Sequence, residues 1–105
     1  MLINEFAASA SEVIGQYLRA AAGTVFVGSP TAGQLGNMRN FSLPGGITVT
    51  FTGMDWRGSN GDQFDQLQRM GLKPDVLARP TKAGLAAGRD EVLEAALAYL
   101  DGVAK

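Results

Sequence analysis

The stretch AASASEVIGQYL, residues 7–18, decides how the rest of the chain is interpreted. It follows the apolar pair Leu2-Ile3, which is typical of a short strand, and it opens a run in which apolar residues recur at helical spacing on one face. Those residues are Val13, Ile14, Tyr17, Leu18 and Ala21. Gly23 is suited to end the helix. The stretch therefore predicts a strand-to-helix transition, with Ser9 and Ser11 at the start of the helix.

The role of Ser9 has two interpretations. Ser9-Ala10-Ser11-Glu12 matches the capping box, in which a serine is followed three residues later by a glutamate, and such a cap contributes about 1 kcal/mol. A hydroxyl at a strand-to-helix turn can instead act as a nucleophile, because backbone N–H groups at the helix start can stabilise a developing oxyanion. The local pattern favours the cap because it supplies no base, but both interpretations stay open.

The composition limits the chemistry that the chain can perform alone. Its 105 residues, 46% hydrophobic and 18% charged, indicate one globular domain over residues 1–105. The net charge of −1 argues against nucleic acid or an acidic membrane surface as a partner. Cysteine and histidine are absent, which excludes thiolate or imidazole metal sites and a Ser-His-Asp triad built from this chain. We expect no metal and no cofactor.

The start of the chain has no signal-peptide pattern, and no segment predicts a membrane span. Met1-Leu2-Ile3 is followed at once by Asn4 and Glu5, so the start lacks the basic and apolar regions of a signal peptide. No stretch approaches the roughly 20 apolar residues that span a bilayer. We therefore expect a soluble chain, and its cellular location stays open.

The remaining segments predict an α/β fold with a mixed sheet, one hairpin and two main helices. The hairpin turns at Pro44-Gly45-Gly46, where apolar and hydroxyl side chains alternate along the second strand. Asp90 is placed to cap the last helix and Gly102 to end it. The predicted strands are 24–27, 39–43, 47–52 and 76–78, a loop covers 28–36, and a short helical turn covers 82–87.

Four segments in order resemble the C-terminal half of the catalytic domain of tail-specific, or C-terminal processing, serine peptidases, whose wider relatives include the tricorn-type peptidases. They are LINEFAASASEVIGQYL (2–18), VFVGSPTAGQLGN (25–37), FSLPGGITVTF (41–51) and GLKPDVLARPTKAGLAAGRDEVLEAALAYL (71–100). The resemblance implies a partial crotonase-like ββα fold, hydrolase ancestry and, for an active member, a polypeptide C-terminus as substrate. Family members are often exported.

The resemblance assigns roles to individual positions. Ser9 matches the family nucleophile, and the N–H of Ala10 then matches one oxyanion-hole donor. Gln34 stands where one branch of the family has its lysine base, and Ala20 stands where that branch has a supporting aspartate. An amide has no useful basicity near neutral pH, so Gln34 cannot replace the base. The chain's lysines, none of them in the matching loop, are Lys73, Lys82 and Lys105.

Two functional hypotheses follow. The family's catalytic domain normally begins upstream with a glycine-rich segment that supplies the second oxyanion donor, and many members carry a PDZ module. Neither is recognisable in this chain. The first hypothesis is a peptidase fragment, inactive alone because the base and part of the oxyanion hole are missing. The second is a stand-alone, non-catalytic binding module that forms a dimer or higher homo-oligomer.

Exposed apolar and polar segments give further expectations. In the family, upstream strands cover the residues equivalent to Leu2, Ile3, Val25 and Val27, so we expect these to form an exposed edge that favours self-association. Trp56 is expected to pack partly on the sheet. The spacing of three aspartates does not match an EF-hand, which favours a solvated loop over a cation site. They are Asp55, Asp62 and Asp65.

Overall fold

The computed structural model describes residues 1–53 and 67–103 and confirms the predicted α/β class. In chain order its elements are β1 (Leu2–Ile3), α1 (Ala10–Ala22), β2 (Val27–Gly28), β3 (Met38–Leu43), β4 (Ile47–Thr52), β5 (Val76–Leu77), α2 (Lys82–Ala86) and α3 (Glu91–Val103). Helices α1 and α3 are the two predicted main helices. Gly23 ends α1 in the left-handed conformation, and the Asp90 carboxylate accepts the Leu93 N–H at the start of α3.

The strands β1, β2 and β5 form a parallel sheet in that order, so β2 is its central strand. Leu2 pairs with Val27, and Val27 pairs with Val76. Because the strands are parallel, their carboxyl ends lie at one edge. The turn into α1 and the loop after β2 both leave the sheet at this edge, which brings two distant segments of the sequence together.

The hairpin β3–β4 forms a two-stranded sheet of its own and does not extend the parallel sheet into a mixed one. Its register runs from Met38 opposite Thr52 to Leu43 opposite Ile47, so the predicted apolar residues share one face. On that face the rings of Phe41 and Phe51 meet edge to face, 6.0 Å apart. Both rings are about half exposed, because no described element covers them.

The core lies between the parallel sheet, α1 and the loops at the carboxyl edge. It consists of Ile3, Phe26, Leu35, Leu67 and Leu72. Gly15 lets α1 approach this core, since a Cβ there would lie 2.5 Å from the Cδ1 atom of Leu72.

The prediction that four residues of β1 and the second strand form an exposed edge is wrong for two of them. Ile3 and Val27 are 4% and 3% exposed, because β2 has a strand on each side and Ile3 packs into the core. Leu2 is 46% exposed and Val25 is intermediate. The larger exposed apolar surfaces lie instead on α1, the hairpin and α3.

Asp75 joins β5 to the rest of the domain at the opposite edge of the sheet. One of its oxygens accepts the Phe26 N–H at 2.7 Å and pairs with Arg19 of α1 at 2.6 Å. The Arg19 guanidinium also lies 4.0 Å from the centre of the Phe26 ring. These contacts hold the C-terminal end of α1 against β2 and β5.

Candidate active site

Ser9 has a strained backbone at the junction of β1 and α1. Its φ of 54° and ψ of −114° place a non-glycine residue in a sparsely populated region, which costs on the order of 1–3 kcal/mol. A sharp, strained strand-to-helix turn exposes the nucleophile of α/β serine hydrolases. Ser9 is itself exposed.

The predicted capping box has both of its partners in place but is asymmetric. The Glu12 carboxylate accepts the Ser9 N–H at 3.0 Å. In the other direction the Ser9 side chain faces the Glu12 N–H, as in a capping box, and this N–H also donates to the Ser9 carbonyl at 3.0 Å. The Glu12 N–H therefore does not depend on the Ser9 hydroxyl alone for an acceptor.

The N–H of Ala10 is the donor nearest in sequence to Ser9 that can serve an oxyanion. Ala10 is the first residue of α1, and its N–H has no acceptor within residues 1–53 and 67–103. The first N–H groups of a helix have no partner within the helix and carry its partial positive charge. An oxyanion formed at Ser9 can accept from this group.

The loop after β2 lies directly against the Ser9 turn. The Ala32 N–H donates to the Ala7 carbonyl, and the Ser9 N–H donates to the Gln34 carbonyl, each at 2.9 Å. The fold thus brings Gln34 next to Ser9 although 25 positions separate them, while its own side chain is exposed. Ala20, the position of the supporting aspartate in the family, lies near the far end of α1 and is also exposed.

Glu12 is fully buried and holds this turn and loop together. Its Oε1 accepts the Thr31 hydroxyl at 2.5 Å and the Gly33 N–H at 2.8 Å. Its Oε2 accepts the N–H groups of Ser9 and Gln34, each at 3.0 Å. Four donors satisfy a carboxylate in the interior, where an unpaired charge would be very costly. The sequence indicated only the local half of this arrangement.

A second loop, residues 67–72, supports the first from behind. The Leu72 N–H donates to the Thr31 hydroxyl at 2.7 Å. Gly33 and Gly71 both have positive φ, 65° and 68°, and face backbone atoms of the opposite loop so closely that a Cβ would lie 2.7 Å or less from them. Glycine at both positions is the sequence signal for this contact, but no role was predicted from it for either residue.

A cleft of about 620 Å³ opens at the same carboxyl edge, beside the residues that lead to Ser9. Glu5, Phe6 and Ala7 line one side, and Arg79 with Pro80 line another. Hydrogen bonds from its own backbone and from the Ser29 hydroxyl, at 2.8 Å, lower the pKa of Glu5, and the charge of Arg79 adds to this effect. Glu5 is therefore an anion at neutral pH.

The described residues show no cluster of three or more carboxylates suited to a metal ion. Asp55, Asp62, Asp65 and Trp56 lie outside the described residues, so those predictions are not tested. Within residues 1–53 and 67–103, no helix is long and apolar enough to cross a membrane.

A serine on a strained turn between a parallel strand and a helix is an arrangement that α/β serine hydrolases use for the nucleophile. Comparison with known families gives the particular one. Peptidase family S41 matches residues 1–78, from β1 through β5, and the chain belongs to this family. The resemblance to C-terminal processing peptidases is thereby confirmed.

A solved structure supports the same assignment. The crystal structure of a candidate peptidase from Parabacteroides merdae ATCC 43184 superposes with a TM-score of 0.78 at 27% sequence identity. The superposition covers 94% of this chain and 30% of that protein, so this chain spans less than a third of its length. The fold described above is thus a partial peptidase fold. No curated protein sequence matches the chain.

Proposed function

We propose that this chain supplies the nucleophile side of a serine peptidase site and is inactive alone. Ser9 is the nucleophile, the Ala10 N–H is one oxyanion donor, and the base comes from a further polypeptide segment. The observation that carries the proposal is the strained backbone of Ser9, with φ 54° and ψ −114°, at a helix start where the Glu12 N–H already has the Ser9 carbonyl as an acceptor. A pure cap needs no such strain, because an N-cap residue ordinarily has extended backbone.

The chemistry explains why a base is required. The Ser9 Oγ forms a bond to the carbonyl carbon of a peptide near its C-terminus, while the hydroxyl proton passes to the base and the carbonyl oxygen becomes the oxyanion. The C–N bond then breaks, and the leaving amine takes the proton from the base. Water later hydrolyses the acyl-Ser9 ester. Gln34, the residue held beside Ser9, cannot take the proton.

A fluorophosphonate probe tests the nucleophile, since it reports reactivity of a serine without peptide cleavage. Attack by Oγ forms an O–P bond and releases fluoride. We expect slow labelling at one site, abolished in Ser9→Ala and retained in Ser11→Ala. Ser11 is the matched control, because its hydroxyl only donates to the Ala8 carbonyl at 2.8 Å. Equal labelling of wild type and Ser9→Ala would contradict the proposal.

A second candidate function is a non-catalytic module that binds another copy of itself. The specific observation in its favour is the uncovered apolar face of the hairpin, where Phe41, Ile47 and Phe51 are about half exposed. Contiguous apolar surface of this kind marks association sites in soluble proteins. Solution mass and probe labelling together separate the candidates. The peptidase fragment predicts labelling of Ser9 at any oligomeric state, whereas the module predicts self-association without labelling.

A further inference from the structure

We infer that Glu12 is a positioning residue that fixes the distance between the nucleophile and the base position of the site. This inference rests on the proposed function of Ser9. The observation is that one carboxylate oxygen, Oε2, accepts the N–H groups of both Ser9 and Gln34 at 3.0 Å. A single atom therefore ties the backbone of the nucleophile to the backbone of the residue that stands where the family has its base.

A helix cap alone does not account for Glu12. A capping-box glutamate is ordinarily on the surface and needs only the N-cap N–H as its donor. Glu12 is 0% exposed and takes three further donors from the loop after β2, namely Thr31, Gly33 and Gln34. A glutamine at this position cannot replace it, because its NH₂ group would face two donors in place of an acceptor.

The same contact supports the strain at Ser9. The positive φ at Ser9 persists only where surrounding groups hold the backbone in that conformation. The Ser9 N–H is held by two acceptors at once, Glu12 Oε2 at 3.0 Å and the Gln34 carbonyl at 2.9 Å. Loss of the carboxylate removes one of these acceptors and also releases the Gln34 N–H, so two backbone hydrogen bonds, Ala32 to Ala7 and Ser9 to Gln34, are left to join the turn to the loop and the spacing is held less rigidly. Displacement of a reacting group by about 1 Å can cost on the order of a hundredfold in rate.

The test compares Glu12→Gln with Asp75→Ala. Asp75 is the matched control, since it is a carboxylate that joins elements through a backbone N–H and an arginine at the opposite edge of the sheet. We expect Glu12→Gln to remain folded by circular dichroism and to reduce Ser9-dependent fluorophosphonate labelling at least about tenfold. Asp75→Ala should lower the thermal midpoint while its folded form labels within about threefold of wild type. Labelling of folded Glu12→Gln at the wild-type rate would overturn the inference.

Amide hydrogen exchange of the wild-type chain gives a second measurement that needs neither a folded variant nor a reactive serine. The N–H groups of Gly33 and Gln34 should exchange slowly and with a common protection factor, because both are released when the carboxylate leaves its site, whereas the Ser9 N–H keeps the Gln34 carbonyl as a second acceptor. Exchange of Gly33 or Gln34 at the rate of a solvated amide would overturn the inference. If Ser9 is unlabelled but these amides are protected together, the proposed function fails. The role of Glu12 in joining the turn to the loop then stands as a structural feature.

Discussion

The Ser9 N–H donates to the Gln34 carbonyl at 2.9 Å, so the residue that the family resemblance assigns to the base position lies directly against the turn that carries Ser9. Positions 9 and 34 are therefore neighbours in the fold, although the side chain at position 34 is an amide. A site of the proposed kind requires both the placement of a residue beside Ser9 and the basicity of its side chain. Because the backbone already places position 34 beside Ser9, one substitution at this position can test the basicity separately.

Gln34→Lys is expected to accelerate fluorophosphonate labelling of Ser9 by about a hundredfold, in the range of general-base contributions. The rate should rise with pH as the lysine loses its proton, because only the neutral amine accepts the serine proton. Labelling is followed by intact mass spectrometry between pH 6 and 10. Gln34→Arg is the matched control, since arginine adds the same charge but stays protonated. Equal acceleration by both variants would show an effect of charge and contradict a base at position 34.

Gly33→Ala is expected to destabilise the domain by about 3 kcal/mol or more, because the new methyl group would lie 2.7 Å from the Arg69 carbonyl carbon at a positive φ. Gly45→Ala is the matched control. Gly45 also has a positive φ, 91°, but a Cβ there meets nothing within 4 Å, so we expect a loss of about 1 kcal/mol. Urea unfolding followed by circular dichroism measures both. Similar losses for the two variants would mean that the loop facing Gly33 can shift to accommodate the methyl group without a further loss of stability.

Asp75→Ala is expected to lower the free energy of unfolding by about 2 kcal/mol, mainly because the buried Phe26 N–H loses its acceptor. The ion pair with Arg19 contributes less, since both side chains are more than a third exposed. Glu94→Ala removes a carboxylate that pairs with Arg89 on an exposed helix, and it should leave the thermal midpoint nearly unchanged. Equal shifts of the midpoint would argue that the Phe26 contact has no special weight.

Ser29→Ala is expected to raise the pKa of Glu5, because it removes one of the hydrogen bonds that lower it. A lowered folded-state pKa adds stability above the unfolded value, and this stability is lost as the pH falls through the folded value. In Ser29→Ala that loss should begin at higher pH. Carboxyl carbon NMR shifts of Glu5 measure the effect, with Ser42→Ala in the exposed hairpin as the control. An unchanged titration would remove Ser29 as a cause.

The elements of the fold were predictable where the signal is local. The helical spacing after Ser9 and the left-handed preference of Gly23 define α1, and Pro44-Gly45-Gly46 defines the hairpin. The parallel order of β1, β2 and β5 was not predicted, since strands of two residues carry little pattern of their own. Whether the hairpin is covered depends on other elements, which an alternating pattern in two strands does not specify.

The candidate site was predictable only in part. Ser9, Ala10 and Gln34 came from the resemblance, and their roles in the reaction stay predictions. Glu12 was interpreted as a partner in a local cap, because Ser9-Ala10-Ser11-Glu12 explains it completely at the level of sequence. Three of its four donors come from about 20 residues further along the chain, and such a contact has no local signature. The strain at Ser9 is likewise a product of tertiary contacts.

The apolar face of the hairpin is expected to mediate self-association of the chain. Phe41, Val49 and Phe51 share the apolar face, and the opposite face carries Asn40 and Thr50. At tens of micromolar we expect sedimentation to give a mass of a dimer or larger, since pairing two such faces removes apolar surface from water. The double variant Phe41→Ser with Phe51→Ser should shift the distribution to monomer. Asn40→Ser with Thr50→Ser on the other face is the control and should not. A monomer for the wild-type chain would contradict the hypothesis of an oligomeric module and favour that of a peptidase fragment.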